Sequence, residues 1–216
     1  MKRVLLLGCC ALACTLDGDG ERESVSRLIT EDFDAVEVFN TFQTTIGVDA
    51  SLPSGISRTV RLSGDSNALD HLFVGVHAER TLSAAVDPNN LVSLSLRPEL
   101  AISIPALVKL YADDQTTTTV TGGTGEIRVE AHDQAVVLLA ETAMASLTVE
   151  AADDAIVTLT GAGPVLTIVV SGAAAVDAQG FAADRVVVDA RGSGTVFVCS
   201  AAEPEVTGDG PVVRRC

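Results

Sequence analysis

Three stretches of this chain say nearly the same thing: YADDQTTTTV from Tyr111, EAHDQAVVLL from Glu130 and EAADDAIVTL from Glu150. Each runs from small residues through acid or amide residues into an apolar or β-branched segment. Aligning the region on Val108, Ile127, Leu147, Leu166 and Val186 extends the pattern to five units, spaced 19, 20, 19 and 20 residues apart. Two residues further on stand Leu110, Val129, Val149, Ile168 and Val188, and four further on Ala112, Ala131, Ala151, Val170 and Ala190. Ten on lie Thr118, Val137, Val157, Val176 and Val196, and twelve on lie Val120, Leu139, Leu159, Ala178 and Val198. Steps of two are the strand period. Each unit therefore reads as two short strands joined by a tight corner that carries Asp114, Asp133, Asp153, Gly172 or Gly192. One such coil cannot bury its own inner face, so the coils must stack and equivalent residues must form ladders. The expected fold is all-β: a right-handed parallel β-helix, or β-solenoid, of two-strand coils with a capped C-terminus. The hand follows from the general preference of parallel crossovers. At ~4.8 Å per coil, five coils make a rod about 24 Å long.

Composition agrees with this. Hydrophobic residues make up 47% and aromatics only 3%, with no Trp and one Tyr. A core of Val, Leu, Ile, Ala and Thr suits a pleated surface, where branched side chains pack well. The net charge of -15 disfavours nucleic acid and direct adsorption to anionic lipid, both of which select for Lys and Arg. Alternating segments precede the repeats: AVEVF, FQTTIGV, TVRL, LFVGV, LVSLSL and AISI. Gly, Pro and Asn breaks separate them, and only Ser66 to His71 suggests a short helical turn.

The N-terminus reads as an export signal. Lys2 and Arg3 precede an apolar run from Val4 to Ala13 that is too short to span a bilayer. ALAC, ending at Cys14, resembles a bacterial lipobox whose Cys is lipidated; LLGC, ending at Cys9, is the alternative. The chain thus divides into a signal (1–13), a polar tether (14–28), an N-terminal β region and cap (29–105), and the repeats with a C-terminal cap (106–216). The expected location is the outer membrane, periplasm or cell surface, with the membrane reached through the lipid. Signal removal would leave Cys199 and Cys216, an even pair in an oxidising compartment, and so an expected disulfide pinning a tail broken by Pro204, Gly208, Gly210 and Pro211.

EDFDAVEVFNTFQTTI, VRLSGDSNALDHL and AISIPALVKLYADD, followed by strand–small-turn–strand units, resemble the putative autotransporter adhesin head GIN domain family. VVSGAAAV (from Val169) and DARGSGTV (from Asp189) match its small-residue turns best, whereas YADDQ, EAHDQ and EAADD depart from them by carrying acids. The resemblance spans about residues 29 to 216. It implies a secreted or lipid-anchored bacterial surface protein with a β-helical body and an adhesive role, and it brings no catalytic residues.

The residues themselves offer little chemistry. His132 stands beside Asp133, but adjacent strand residues point to opposite faces, and His71 and His77 fall in the irregular N-terminal half. TGGTGE, from Thr121, lacks the Lys of a phosphate loop and reads as a corner. Stacked coils would bring Asp114, Asp133 and Asp153 into one column, flanked by Asp113 and Asp154. Such oxygen clusters suit Ca2+, and these three are the candidate ligands; the plainer reading is a solvated acidic edge that opposes end-to-end pairing. The function expected is a non-catalytic envelope or surface module that binds a glycan or a protein. The alternative is a β-helical lyase or hydrolase acting on polysaccharide, which would need acids, cations and stacking aromatics on one long face. Metabolic labelling with a fatty-acid probe tests the anchor: the wild type takes up label and Cys14→Ser does not. Labelling abolished by Cys9→Ser instead would move the site, and labelling indifferent to both would remove the anchor.

Overall fold

Alternate residues of every repeat point into a buried, mainly apolar interior in the computed structural model, which describes residues 16–87, 92–200 and 202–216. The signal, Cys9 and Cys14 lie outside the described residues. The strands are β1 (Leu16–Asp17), β2 (Arg22–Ile29), β3 (Ala35–Val38), β4 (Gln43–Val48), β5 (Arg58–Asp65), β6 (Leu72–His77), β7 (Thr81–Val86), β8 (Val92–Ser93), β9 (Glu99–Ile104) and β10 (Lys109–Ala112). They continue as β11 (Thr117–Gly122), β12 (Glu126–Ala131), β13 (Val136–Ala143), β14 (Ser146–Ala151), β15 (Ile156–Val170), β16 (Ala175–Ala190), β17 (Thr195–Val198), β18 (Glu205–Gly208) and β19 (Val212–Arg214). The only helical structure among the described residues is in two short 3-10 turns, Leu69–His71 and Ala78–Arg80, and no helix is long and apolar enough to cross a membrane.

Two parallel stacks run through the repeats. On the first face β7, β3, β10, β12, β14, β15, β16 and β18 lie side by side, with Leu82, Val36, Leu110, Val129, Val149, Ile168, Val188 and Val206 in one row. On the second face β9, β4, β11, β13, β15, β16, β17 and β19 do the same, with Ile102, Ile46, Val120, Leu139, Leu159, Ala178 and Val198 in one row. β15 and β16 belong to both faces because each runs through a corner. Val149, Leu159, Ile168 and Val188 are fully buried, each side chain contributing about 1.5–3 kcal/mol by removal from water. One member of the aligned columns departs: Val108 is exposed and Leu107 is buried instead. Here the chain swings from β9, below the first coil, to β10, above it.

The structure refines the expectations drawn from the sequence. The sheet is mixed rather than wholly parallel, because β2–β5, β5–β9 and β6–β7 pair antiparallel. The physical reason is closure: a stack end leaves unpaired strand edges, and short antiparallel connections cover them. The residues taken as a tether do not all hang free, since 22–29 form β2, paired along its length with β5. The N-terminal β region and cap supplies a coil of its own, with β3 and β4 pairing in parallel with β10 and β11. Finally, the C-terminal tail expected as a cap is itself built of regular strands. Its β18 and β19 add another parallel rung, and the Cys199–Cys216 disulfide (Cα–Cα 4.9 Å) ties the chain end to the residue that directly follows β17. Closing that loop stabilises by about 3 kcal/mol in the chain-entropy account.

The register carries a direct expectation. Leu159 is fully buried while Thr158, its neighbour on the same strand, faces outward and is half-buried. Leu159→Ala costs about 2–5 kcal/mol in denaturant unfolding, and Thr158→Ala costs less than about 1 kcal/mol. Equal costs would mean the register is wrong.

Candidate functional site

The acid-bearing corners join the first face to the second. In the coils of β10–β11, β12–β13 and β14–β15 the turn closes through N–H to O=C bonds three residues apart: Thr116 to Asp113, Ala135 to His132 and Ala155 to Ala152. The residue after the turn's start has positive φ each time: 58° at Asp114, 53° at Asp133 and 60° at Asp153. Neighbouring coils place Asn40 (63°), Gly172 (68°) and Gly192 (83°) at the same position. Asn, Asp and Gly are the residues that tolerate this conformation. The turns also pair with each other: Gln115 N–H donates to Asn40 O, Gln134 N–H to Asp114 O, Asp154 N–H to Asp133 O and Ala173 N–H to Asp153 O. The acid column is therefore first of all a backbone solution.

Its side chains meet as the stacking demands. One carboxylate oxygen from each of Asp113, Asp114 and Asp133 lies within 4.8 Å of the others. Of the sequence-predicted Ca2+ ligands, Asp114 and Asp133 come together, Asp113 completes the trio, and Asp153 stands one rung further along the column. Two of the trio are already engaged. Asp114 Oδ2 accepts from Asn40 N–H (2.8 Å) and Asn40 Nδ2 (3.3 Å). Asp113 accepts from Asp114 N–H (2.8 Å) and from the Tyr111 hydroxyl (2.8 Å). Asp133 is exposed, and its carboxyl is held above the usual range chiefly by the charge of Asp113, with desolvation, Asp153 and Asp114 adding to it. A shallow groove of about 530 Å³ runs along the column, lined by Asn40, Gln115, Gln134, Asp154 and the three stacked aspartates. Chemically this is a hard, oxygen-rich surface that can hold cations or hydrogen-bond to hydroxyls.

Beside the corner, the outward row of the first face is a ladder of opposite charges. Lys109 pairs with Glu130 (3.1 Å), and Arg128 bridges Glu130 (2.7 Å) and Glu150 (2.8 Å). Tyr111 sits among them, its ring 5.6 Å from that of Phe39 and 5.3 Å from that of His132. His132 is thus a stacking partner, and His77 Nε2 lies 3.1 Å from Glu37 Oε2. Burial and the acids Asp113, Glu130 and Glu37 push the Tyr111 phenol up to about 12. Sequence reading missed two members of this site, Asn40 and Phe39. The signal was present in VFNTFQTT, which repeats the order of strand end, positive-φ residue and next strand start.

The family model described as "Putative auto-transporter adhesin, head GIN domain" matches residues 32–213. The chain belongs to this family. Among solved structures, this GIN domain resembles a putative adhesin from Bacteroides fragilis NCTC 9343, with a TM-score of 0.77, 14% identity, and coverage of 91% of this chain and 98% of that one. It also resembles a putative lipid binding protein from Parabacteroides distasonis ATCC 8503, with a TM-score of 0.66, 15% identity, and coverage of 93% and 100%. A putative adhesin from Parabacteroides merdae ATCC 43184 follows with a TM-score of 0.64, 14% identity, and coverage of 93% and 99%. No curated protein matches the sequence. At these identities the structural likeness concerns the fold.

Tyr111 is the only Tyr and there is no Trp, so ultraviolet titration of phenolate reads it alone. We expect a midpoint near 12 in the folded protein, lowered by Asp113→Asn. Because the unfolded phenol ionises near ~10, this group's contribution to stability is present below about pH 10 and is lost as pH rises toward the folded value. A midpoint at the ordinary Tyr value would remove the contact from the site.

Proposed function

We propose that this GIN domain is a non-catalytic, exported interaction module of adhesin type, held at the envelope through lipidated Cys14. Its body winds as a right-handed β-solenoid, consistent with the parallel 19- and 20-residue registers and with the general hand of such crossovers. The observation that carries the functional reading is the family match over residues 32–213. The stack supports it by presenting two broad, ordered surfaces: a ladder of ion pairs on the first face and a second face that carries few charges beyond its N-terminal end, and from which Thr117, Thr119, Val136, Leu138, Ile156 and Thr158 point outward. Ordered residues on rigid strands lose little freedom on binding, which is what a recognition surface requires. The ligand expected is a surface glycan or protein, with Ca2+ at the acidic corner as an auxiliary ion.

Arrays of glycans and matrix proteins, probed with the purified chain with and without Ca2+, test this. Saturable binding to a glycan or a protein supports the adhesin reading. Silence on both arrays together with tight binding to neutral lipid vesicles would replace it with the lipid-binding role that one solved relative's description names.

A further inference from the structure

Among 29 acids and only 14 Lys and Arg, cations gather at one place on the second face, near its N-terminal end. Five strands lie side by side there in the order β2, β5, β9, β4, β11. One outward row across them reads Ser24, Ser63, Glu99, Gln43, Thr117; the next reads Ser26, Arg61, Ala101, Thr45, Thr119. Ala101 has only a methyl group, so the floor is low between Arg61 and Thr45. The result is a groove of about 280 Å³ that both Arg22 and Arg61 line.

The two guanidinium groups differ in what they already hold. Arg22 pairs with Glu99 at 2.8 Å and reaches Ser63 Oγ at 3.4 Å. Arg61 reaches Ser24 Oγ at 3.4 Å and has no acidic partner among the described residues. Arg97 donates to Thr117 Oγ1 on the adjoining strand β11 (3.1 Å) and to Gln115 O (3.0 Å). Two guanidinium groups thus share the groove with one carboxylate, and the neutral groups beside Arg61 are hydroxyls and an amide: Ser24, Thr45 and Gln43.

The geometry points to a binding site for an acidic sugar unit, with Arg61 holding its carboxylate or sulfate and Gln43, Thr45 and Ser24 meeting its hydroxyls. A guanidinium presents parallel N–H donors that match either anion in a two-point contact. The volume lies at the lower end of small-molecule sites, about 300 Å³, so the groove takes a single charged sugar rather than enclosing a chain. Glu99 acts against binding, because it both occupies Arg22 and repels the anion. This assignment deepens the adhesin reading and rests on it.

Titration calorimetry of the full chain with glucuronic acid, glucose 6-sulfate, glucose and acetate tests it. Both charged sugars bind at least about tenfold more tightly than glucose, as a hydrogen-bonded charge requires. Both also bind more tightly than acetate, which offers no hydroxyls. Arg61→Ala loses about tenfold or more in affinity with an unchanged unfolding temperature, because Arg61 is exposed. Glu99→Gln tightens binding several-fold, an opposite effect that general damage to the fold would not produce. Glucose binding as well as glucuronic acid, acetate binding as well as either sugar, affinity indifferent to Arg61→Ala, or no heat with any charged sugar would each overturn the assignment. A glycan array positive only for neutral sugars would overturn this site while leaving the adhesin reading in place.

Discussion

Everything in this molecule hangs on one backbone condition repeated at one corner. Asn40, Asp114, Asp133, Asp153, Gly172 and Gly192 stand in a column, and all have positive φ. That conformation turns the chain from the first face to the second within four residues. It also leaves the turn's N–H and C=O groups aimed at the coils on either side. If the corner opened, each coil would lose its length, the rows would fall out of register, and a one-residue slip would send the apolar set to the solvent side. The inner side of the same corner is filled by small residues, with Ala135, Ala155 and Ala174 fully buried. Gly172 shows how tight the fit is, since a Cβ there would lie 2.9 Å from Asp153 Cα.

This condition also explains the charge. Asp at three successive rungs satisfies the backbone but brings carboxylates within 4.8 Å of one another. Part of the cost is offset by local donors, Asn40 N–H and the Tyr111 hydroxyl, and the rest appears in the raised carboxyl of Asp133. Lys109 and Arg128 on the neighbouring row balance Glu130 and Glu150, not the corner acids. Exposed pairs of this kind contribute little each, about 0–1 kcal/mol, so their place in the account is to dress the first face rather than to hold it. The second face carries few charges beyond its N-terminal end, where Arg22, Arg61 and Arg97 collect. The two faces therefore present different chemistry on a common frame.

The repeat rows from Leu110 to Val198 were legible because a two-residue period and a twenty-residue period coincide there, and stacked strands impose both. The first coil was harder to see. Its Phe39-Asn40-Thr41-Phe42 corner has Phe42 where later coils have Thr116, Ala135 and Ala155, and the strands β5 to β9 separate it in sequence from the coil it joins. β2 was illegible for a different reason. RESVSRLI is an edge strand exposed along most of its length, and such a strand needs no apolar alternation. The cause of the acidic column was not legible, because spacing shows which residues stack and only φ shows why Asp is there. The cationic groove could not be read at all: Arg22, Arg61 and Glu99 are far apart in sequence and meet through antiparallel pairings at the capped end.

The central claim is that the corner selects residues by backbone conformation and not by charge. Unfolding free energies of Asp153→Asn, Asp153→Gly and Asp153→Val, measured side by side, test it most directly. Asp153 is exposed, so none of the three changes disturbs the core. Asn and Gly, which stand at this position in other coils, should leave stability equal to or above the wild type. Val should lose about 1–2 kcal/mol, the cost of forcing a branched L-residue to positive φ. A Val variant as stable as the Gly variant would contradict the account.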